Sequence, residues 1–293
     1  MESIRRLTDV FMRLLFTGIA FLTVVLLIGM FIFLIFNGIG TFTEVGLHEF
    51  FLSANWNPSA AGVKHWGILS LLLGTVMISL GALAVSVPFG LALAIYLSRI
   101  ASRRTREILK PVIEMIAGIP SVVLGLLGLL YLAPLIAKTF SLSNGLNGLS
   151  ASILVGIAVV PTIASLSEDA LSGVSERLTE ASLALGATRW TTIRRILIPA
   201  AISGIGAAVM LGLGRAIGET MVVLMVAGNS LALPHSFLDP VRPMTATIAI
   251  EIREVVVNDL HWKSLFAIGL VLFVITFFIN SATDIILKKR HRL

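Results

Sequence analysis

The sequence has no cysteine among its 293 residues. That excludes a disulfide framework and any thiolate metal site. Charge is scarce too: 13% of residues are Asp, Glu, Lys or Arg, against about 25% in an ordinary soluble domain. A surface so poor in charge does not stay dissolved, so lipid has to serve as solvent for much of it. No Gly-Lys pair occurs anywhere, which excludes a phosphate-binding loop of the Gly-x-x-x-x-Gly-Lys-Ser/Thr kind. The histidines, His48, His65, His235, His261 and His291, are scattered without metal-ligand spacing. No catalytic residue and no metal site is therefore assigned.

What is present is apolar: 57% of the chain is hydrophobic. A spanning helix needs about 20 mostly apolar residues. Five clear windows meet this, at 14–36, 67–97, 109–136, 200–227 and 265–287, and a shorter one lies at 151–166. Pro111, Pro120 and Pro134 are expected to break or bend the third, and Pro161 lies in the fourth. The chain is thus expected to be an all-α membrane protein of six transmembrane helices.

Basic residues set its direction. Arg5, Arg6, Arg13, Arg99, Arg103, Arg104, Arg106, Lys110, Arg177, Arg189, Arg194, Arg195, Lys288, Lys289, Arg290 and Arg292 fall on one side. Lys64, Lys138, Arg242, Arg253 and Lys263 fall on the other, and Arg215 lies inside a span. Six crossings with both termini cytoplasmic satisfy every loop. The net charge of +6 is then a matter of topology, and nucleic acid is not expected as a partner. The first span is too long for a signal peptide and no small-x-small cleavage site follows it, so it reads as an uncleaved anchor.

The organisation expected is an anchor helix with an outer loop (1–66), a transmembrane core (67–287) holding a cytoplasmic loop (167–199), and a basic tail (288–293). Trp56, Trp66 and Trp262 fit an interfacial belt. Glu168 and Asp169 are expected to mark the water boundary at the end of the fourth span, and Glu114 to pair locally with Lys110 or to serve in gating.

Two stretches carry the chemistry. Residues 175–199 read as two short helices, 176–185 and 188–198, joined at Gly186 in a left-handed turn and with Thr188 as cap. Pro199 is expected in the first turn of the fifth span. The second stretch, 211–220, places Arg215 and Glu219 four residues apart, on one face of a helix. By the helical rise Arg215 sits roughly 22 Å along its span, counted from residue 200. A charge at that depth costs about 2.5–3.5 kcal/mol, so it must face a partner or a watery path. One account is a self-neutralising pair that holds helices together. The other is an anion path, since the guanidinium fork fits phosphate oxygens, with Glu219 pairing Arg215 in the empty state and Thr220 adding a hydroxyl. Gly214 and Gly218 are at GxxxG spacing, suited to close helix approach.

The run Glu180-Ala181-Ser182, three residues, Gly186, nine residues, Ile196-x-Ile198-Pro199 resembles the cytoplasmic loop of ATP-binding-cassette importer permeases. The family pattern has Ala where Ser182 stands and Leu where Ile198 stands. The string GLGRAIGETM with VLMVAGN, together with Trp56-Asn-Pro58, Ala117-Gly-Ile-Pro-Ser121 and Glu168-Asp-Ala170, is similar to the phosphate-specific importer permeases, closer to the PstC than to the PstA type. The resemblance implies a type I importer permease fold in a bacterial inner membrane and transport of inorganic phosphate delivered by an external binding protein. It implies a sister permease of PstA type and two ATP-binding subunits that hold ATP and Mg. Glu180, Ala181 and Gly186 would couple to the ATPase, and Arg215, Glu219 and Thr220 would line the substrate path. Another oxyanion (sulfate, molybdate or tungstate) in the same architecture, a gradient-driven transporter, or a sensory subunit are the other readings, although no inverted repeat of the transporter kind is visible.

Overall fold

In a computed structural model of the chain, the backbone is described for residues 2–290 and the side chains for residues 11–281. The side chains of Arg5, Arg6 and the basic tail lie outside the described residues. Thirteen helices are present among the described residues: α1 (Glu2–Glu44), α2 (Leu47–Leu52), α3 (Leu69–Ile95), α4 (Arg103–Ala117), α5 (Ser121–Leu127), α6 (Ala133–Phe140), α7 (Gly148–Ser172), α8 (Glu176–Ala184), α9 (Arg189–Thr192), α10 (Ile198–Gly218), α11 (Met221–Val226), α12 (Met244–Glu251) and α13 (Leu260–Arg290). A two-stranded hairpin, β1 (Trp56–Asn57) and β2 (His65–Trp66), is antiparallel. Six helical stretches are long and apolar enough to cross a membrane: Phe11–Glu44, Leu69–Ile100, Ser121–Phe140, Gly148–Ser172, Arg189–Gly218 and Leu260–Ser281. The six expected spans are all there, with changed borders.

The third span is the main correction. Residues 109–117 do not belong to it: they complete α4, a separate amphipathic helix that runs straight through Pro111. The chain breaks at Gly118–Pro120, where Pro120 caps α5 in an extended conformation. The sequence signal that separates the two is charge: Arg103, Arg104, Arg106, Glu107 and Lys110 all lie on α4, which keeps its first half out of hydrocarbon. The fifth span is corrected at both ends. It begins at Arg189, so α9, a π-helical turn (Ile193–Leu197) and α10 form one continuous stretch. Pro199 lies within it, just after the wide turn, which relieves the clash of the ring with the carbonyl four residues before. The same device stands before Pro134, at Gly128–Leu132.

The bundle is built around α3 and α7. Gly90 of α3 lies so close to α7 that a Cβ there would sit 2.8 Å from Ile163 Cγ2. Gly156 of α7 likewise leaves no room beside Val85, at 2.8 Å. Without a hydrophobic driving force between helices in lipid, such close backbone approach supplies the association. The core here contains Ile78, Ala82, Val155, Val159, Ile163 and, from α10 and α11, Ala216, Val222 and Val226. Helix α1 is peripheral. Its apolar surface is largely exposed, and it packs on α13 through Phe31–Phe273 and Phe33–Phe266 ring contacts.

One end of the bundle gathers Arg99, α4, the end of α7 and the α8–α9 hairpin. The opposite end is closed by β1–β2, α12 and the segment 228–243. There the Glu251 carboxylate accepts hydrogen bonds from Trp56 Nε1 (3.0 Å), Arg242 Nη1 (3.1 Å) and His261 Nε2 (2.8 Å). Trp56 and Trp66 are 2% and 6% exposed, so they are core residues of this cap rather than members of an interfacial belt. The segment 247–257, which the sequence leaves open between an outer helix and a re-entrant piece, is helical only as far as Glu251, as the second half of α12, and continues in turns. Glu251→Ala removes one acceptor from three donors. Breaking a largely buried charge pair costs about 3 kcal/mol, so the variant is expected to unfold at lower temperature, with a red-shifted tryptophan emission, whereas Glu251→Gln retains part of the network.

Candidate functional site

Arg215 is in the last turn of α10. Its guanidinium donates from Nη1 to Thr162 Oγ1 at 2.7 Å and from Nη2 to the carbonyl of Ala117 at 3.4 Å. Thr162 is about midway along the 25 residues of α7, which puts the charge deep in the bundle. Arg215 is nevertheless exposed in the single chain. A guanidinium at mid-span facing lipid is costly, so this surface belongs to protein or water.

Glu219 is not on the same helix face. Helix α10 ends at Gly218, and Glu219 is extended, with φ −65° and ψ 128°. Its Oε1 accepts from the N–H groups of Thr220, Met221 and Val222, at 3.1, 3.1 and 3.3 Å. These are donors that a helix start leaves unpaired, so Glu219 caps α11 and does not neutralise Arg215. The expected ion pair fails because the helix stops one residue too early. Thr220 turns its hydroxyl to the carbonyl of Gly218 at 3.1 Å. The arginine, the carboxylate and the threonine thus share one break between α10 and α11, with separate partners. A Cβ on Gly218 would meet nothing within 4 Å, and one on Gly214 only Asn280 at 4.0 Å. The close approach inside this chain is at Gly212 instead, where a Cβ would lie 2.9 Å from Ile163.

The hairpin at the basic end matches its expectation closely. Gly186 has φ +82° between α8 and α9, and Thr188 Oγ1 accepts from the Thr191 N–H at 3.2 Å. Glu180 and Ala181 are exposed. Ser182 is buried, and its hydroxyl meets Thr192 Oγ1 at 2.8 Å. The Ser that stands in place of Ala therefore links the two helices.

Sequence reasoning missed a second charged site. Glu168 is completely buried and does not mark a water boundary. Its carboxylate is bonded by Arg106 and by Lys110 Nζ, the latter at 2.7 Å, and by Ser172 Oγ at 2.8 Å. Lys110 also reaches Asp169 at 2.7 Å, and so is not the local partner of Glu114. These bonds, to Asp169 first and Glu168 second, raise the Lys110 ammonium above its ordinary value, so it stays charged at any pH below its unfolded pKa. A usable signal was present: Arg106 and Lys110, four apart, share one face of a helix. Arg99 adds to the same region by donating to the carbonyls of Leu171 and Val174 at the end of α7. Helix α4 is thereby tied to α7 near Glu168, and its last carbonyl meets Arg215.

Residues 86–292 match the family model described as binding-protein-dependent transport system inner membrane component. The probable ABC transporter permease protein YqgH of Bacillus subtilis is 37% identical over 93% of this chain and 89% of its own length. The phosphate transport system permease protein PstC of Mesorhizobium japonicum is 37% identical over 94% of this chain and 90% of its own. PstC of Haemophilus influenzae is 32% identical, covering 83% and 82%. Among solved structures, a bacterial ABC transporter that imports alginate superposes with a TM-score of 0.64 over 98% of both chains at 15% identity. The inward-facing MetNI methionine transporter gives 0.55 over 76% of this chain and 94% of its own at 20% identity. At such identities the likeness is one of fold, and it is the fold of type I importer permeases. The chain belongs to the binding-protein-dependent transport system inner membrane component family, as a multi-pass permease subunit of an ATP-driven importer.

Proposed function

We propose that the chain carries inorganic phosphate across a bacterial inner membrane. The observation that supports this most is Arg215, a permanent cation on an open surface level with the middle of α7, whose partners among the described residues are neutral oxygens. A neutral hydroxyl and a carbonyl leave its charge uncompensated, ready for an anion, and its planar fork suits a tetrahedral oxyanion. Similarity to PstC proteins selects phosphate within that class. Glu219 and Thr220 shape the break that ends α10 and would border the path from there. The open face is where a sister permease of PstA type would enclose it. Helix α1, which precedes the matched residues 86–292, is an added anchor to the core.

The α8–α9 hairpin is the coupling element in this reading, docked on one of two ATP-binding subunits that hold ATP and Mg. The continuous helical stretch from Arg189 to Gly218, through the wide turn at Ile193–Leu197, then leads from that contact to Arg215. Both termini would be cytoplasmic, and an external binding protein would deliver phosphate at the α12 end. Gly186→Val tests the coupling. A Cβ at Gly186 has nothing within 4 Å, so only the positive φ penalises it, at about 1–2 kcal/mol. Less ATP-binding subunit is expected to copurify, and uptake to fall with it. Unchanged assembly and uptake would remove the hairpin from that role.

The substrate is tested by ATP hydrolysis of the complete importer in lipid, with binding protein loaded in turn with phosphate, sulfate and molybdate. Stimulation by phosphate alone is expected. Stimulation by another oxyanion would keep the architecture and discard phosphate.

A further inference from the structure

At the basic end, between the end of α3 and the α8–α9 hairpin, lies a cavity of about 330 Å³. A single water takes roughly 30 Å³ of liquid, so the space holds a polyatomic group. Arg99, Thr179 and Arg189 line it with Ser98 and Thr192, over an apolar wall that includes Ile193 and Leu197. Two of these residues hold buried polar atoms without a partner, Arg99 Nε and Thr179 Oγ1. Arg189 forms no ion pair among the described residues. By contrast, Ser98 and Thr192 are engaged, Ser98 with the carbonyl of Ile95 at 3.4 Å and Thr192 with Ser182 and the carbonyl of Thr188. The unmet capacity is thus one N–H of Arg99, whose Nη2 is already given to α7, the Thr179 hydroxyl, and the exposed guanidinium of Arg189. A buried donor left unpaired is expensive, and native structures rarely tolerate one without reason. Glu176 is within electrostatic range of Arg99 but does not line the cavity.

We infer that this cavity binds a phosphate group, separately from the mid-span path. Phosphate oxygens accept from guanidinium N–H and hydroxyl donors together, and the apolar wall lowers the local dielectric and so strengthens those contacts. The group occupied would pin α8 and α9 to the end of α3, beneath the hairpin. It has two possible sources, free inorganic phosphate and the headgroup of an anionic lipid. The position at the foot of the spans admits both. This inference does not depend on Arg215 lying on a transport path.

The test uses the purified full chain carrying Arg215→Ala, so that phosphate does not report on the mid-span arginine. Two probes are applied: inorganic phosphate, followed by thermal unfolding, and phosphatidylglycerol against phosphatidylcholine, followed by retention in native mass spectrometry. Arg189→Gln and Thr179→Val are added singly. Both leave the bond of Arg99 to α7 intact, and circular dichroism checks the fold. A response to inorganic phosphate that each variant weakens about tenfold, the loss of one charge-assisted bond, supports the site with free phosphate as ligand. Selective retention of phosphatidylglycerol that each variant abolishes supports it with lipid as ligand. Equal behaviour of parent and variants towards both probes would overturn the inference. So would the loss of both responses when the ATP-binding subunits are bound, because the groove would then be part of that interface.

Discussion

Arg215→Ala is expected to reduce phosphate uptake by about 100-fold. A hydrogen bond to a charged group contributes about 1.5–3 kcal/mol, and every 1.4 kcal/mol is a factor of ten. On the proposed path Arg215 would offer a fork of such bonds to a migrating oxyanion, so the upper end of the range applies. The fold should survive, because the side chain is exposed and gives up only its contacts to Thr162 and Ala117. ATP hydrolysis stimulated by the loaded binding protein is therefore expected to persist while transport stops. Arg215→Lys should recover part of the uptake, since it keeps the charge and loses the fork. If Arg215→Ala transported phosphate normally, the residue would be structural and the path would lie elsewhere.

The second large effect concerns Glu168, and its sign depends on which partner is removed. Arg106→Met with Lys110→Met strands a carboxylate that is completely buried, against Ser172 alone. Leaving a buried charge unpaired costs about 3–5 kcal/mol, or on the order of 10 °C in midpoint for a chain of this size. Glu168→Gln strands two cations instead. The Arg106 and Lys110 side chains are 39% and 30% exposed, so water takes over much of their solvation and the loss is smaller. The double cation variant should therefore unfold at a clearly lower temperature than Glu168→Gln. The reverse order would show that the cations, not the carboxylate, are the desolvated partners.

Much of the architecture was legible because it depends on composition over long windows. Six apolar windows gave six helices, since about 20 residues of hydrocarbon-compatible sequence has few other fates in a membrane. The hairpin was legible for a local reason: Gly186 and Thr188 each have a conformational preference that no tertiary contact needs to override. Helix ends were where the reading failed. Nothing in 211–220 announces that the helix stops at Gly218, because Glu219 is as good a helix former as a cap. The stop depends on Glu219 finding the free N–H groups of α11 and on its carbonyl accepting from Thr245 at 2.9 Å, and Thr245 is distant in sequence. The role of Glu168 was hidden for the same reason. Its partners on α4 lie about 60 residues away, and an acid near a span end more often faces water. The Trp56 and Trp66 pair was misplaced by composition, which identifies a tryptophan near a membrane boundary but not the Glu251 that accepts from Trp56.

The central claim, that this chain conducts phosphate past a mid-span arginine, is tested most directly by uptake of radiolabelled phosphate into proteoliposomes. These would contain the complete importer with ATP on the side of its ATP-binding subunits and loaded binding protein on the other. The account predicts ATP-dependent accumulation that excess sulfate or molybdate does not compete away and that Arg215→Ala lowers by about 100-fold. Accumulation that needs no ATP, or that proceeds unchanged with Arg215→Ala, would contradict it.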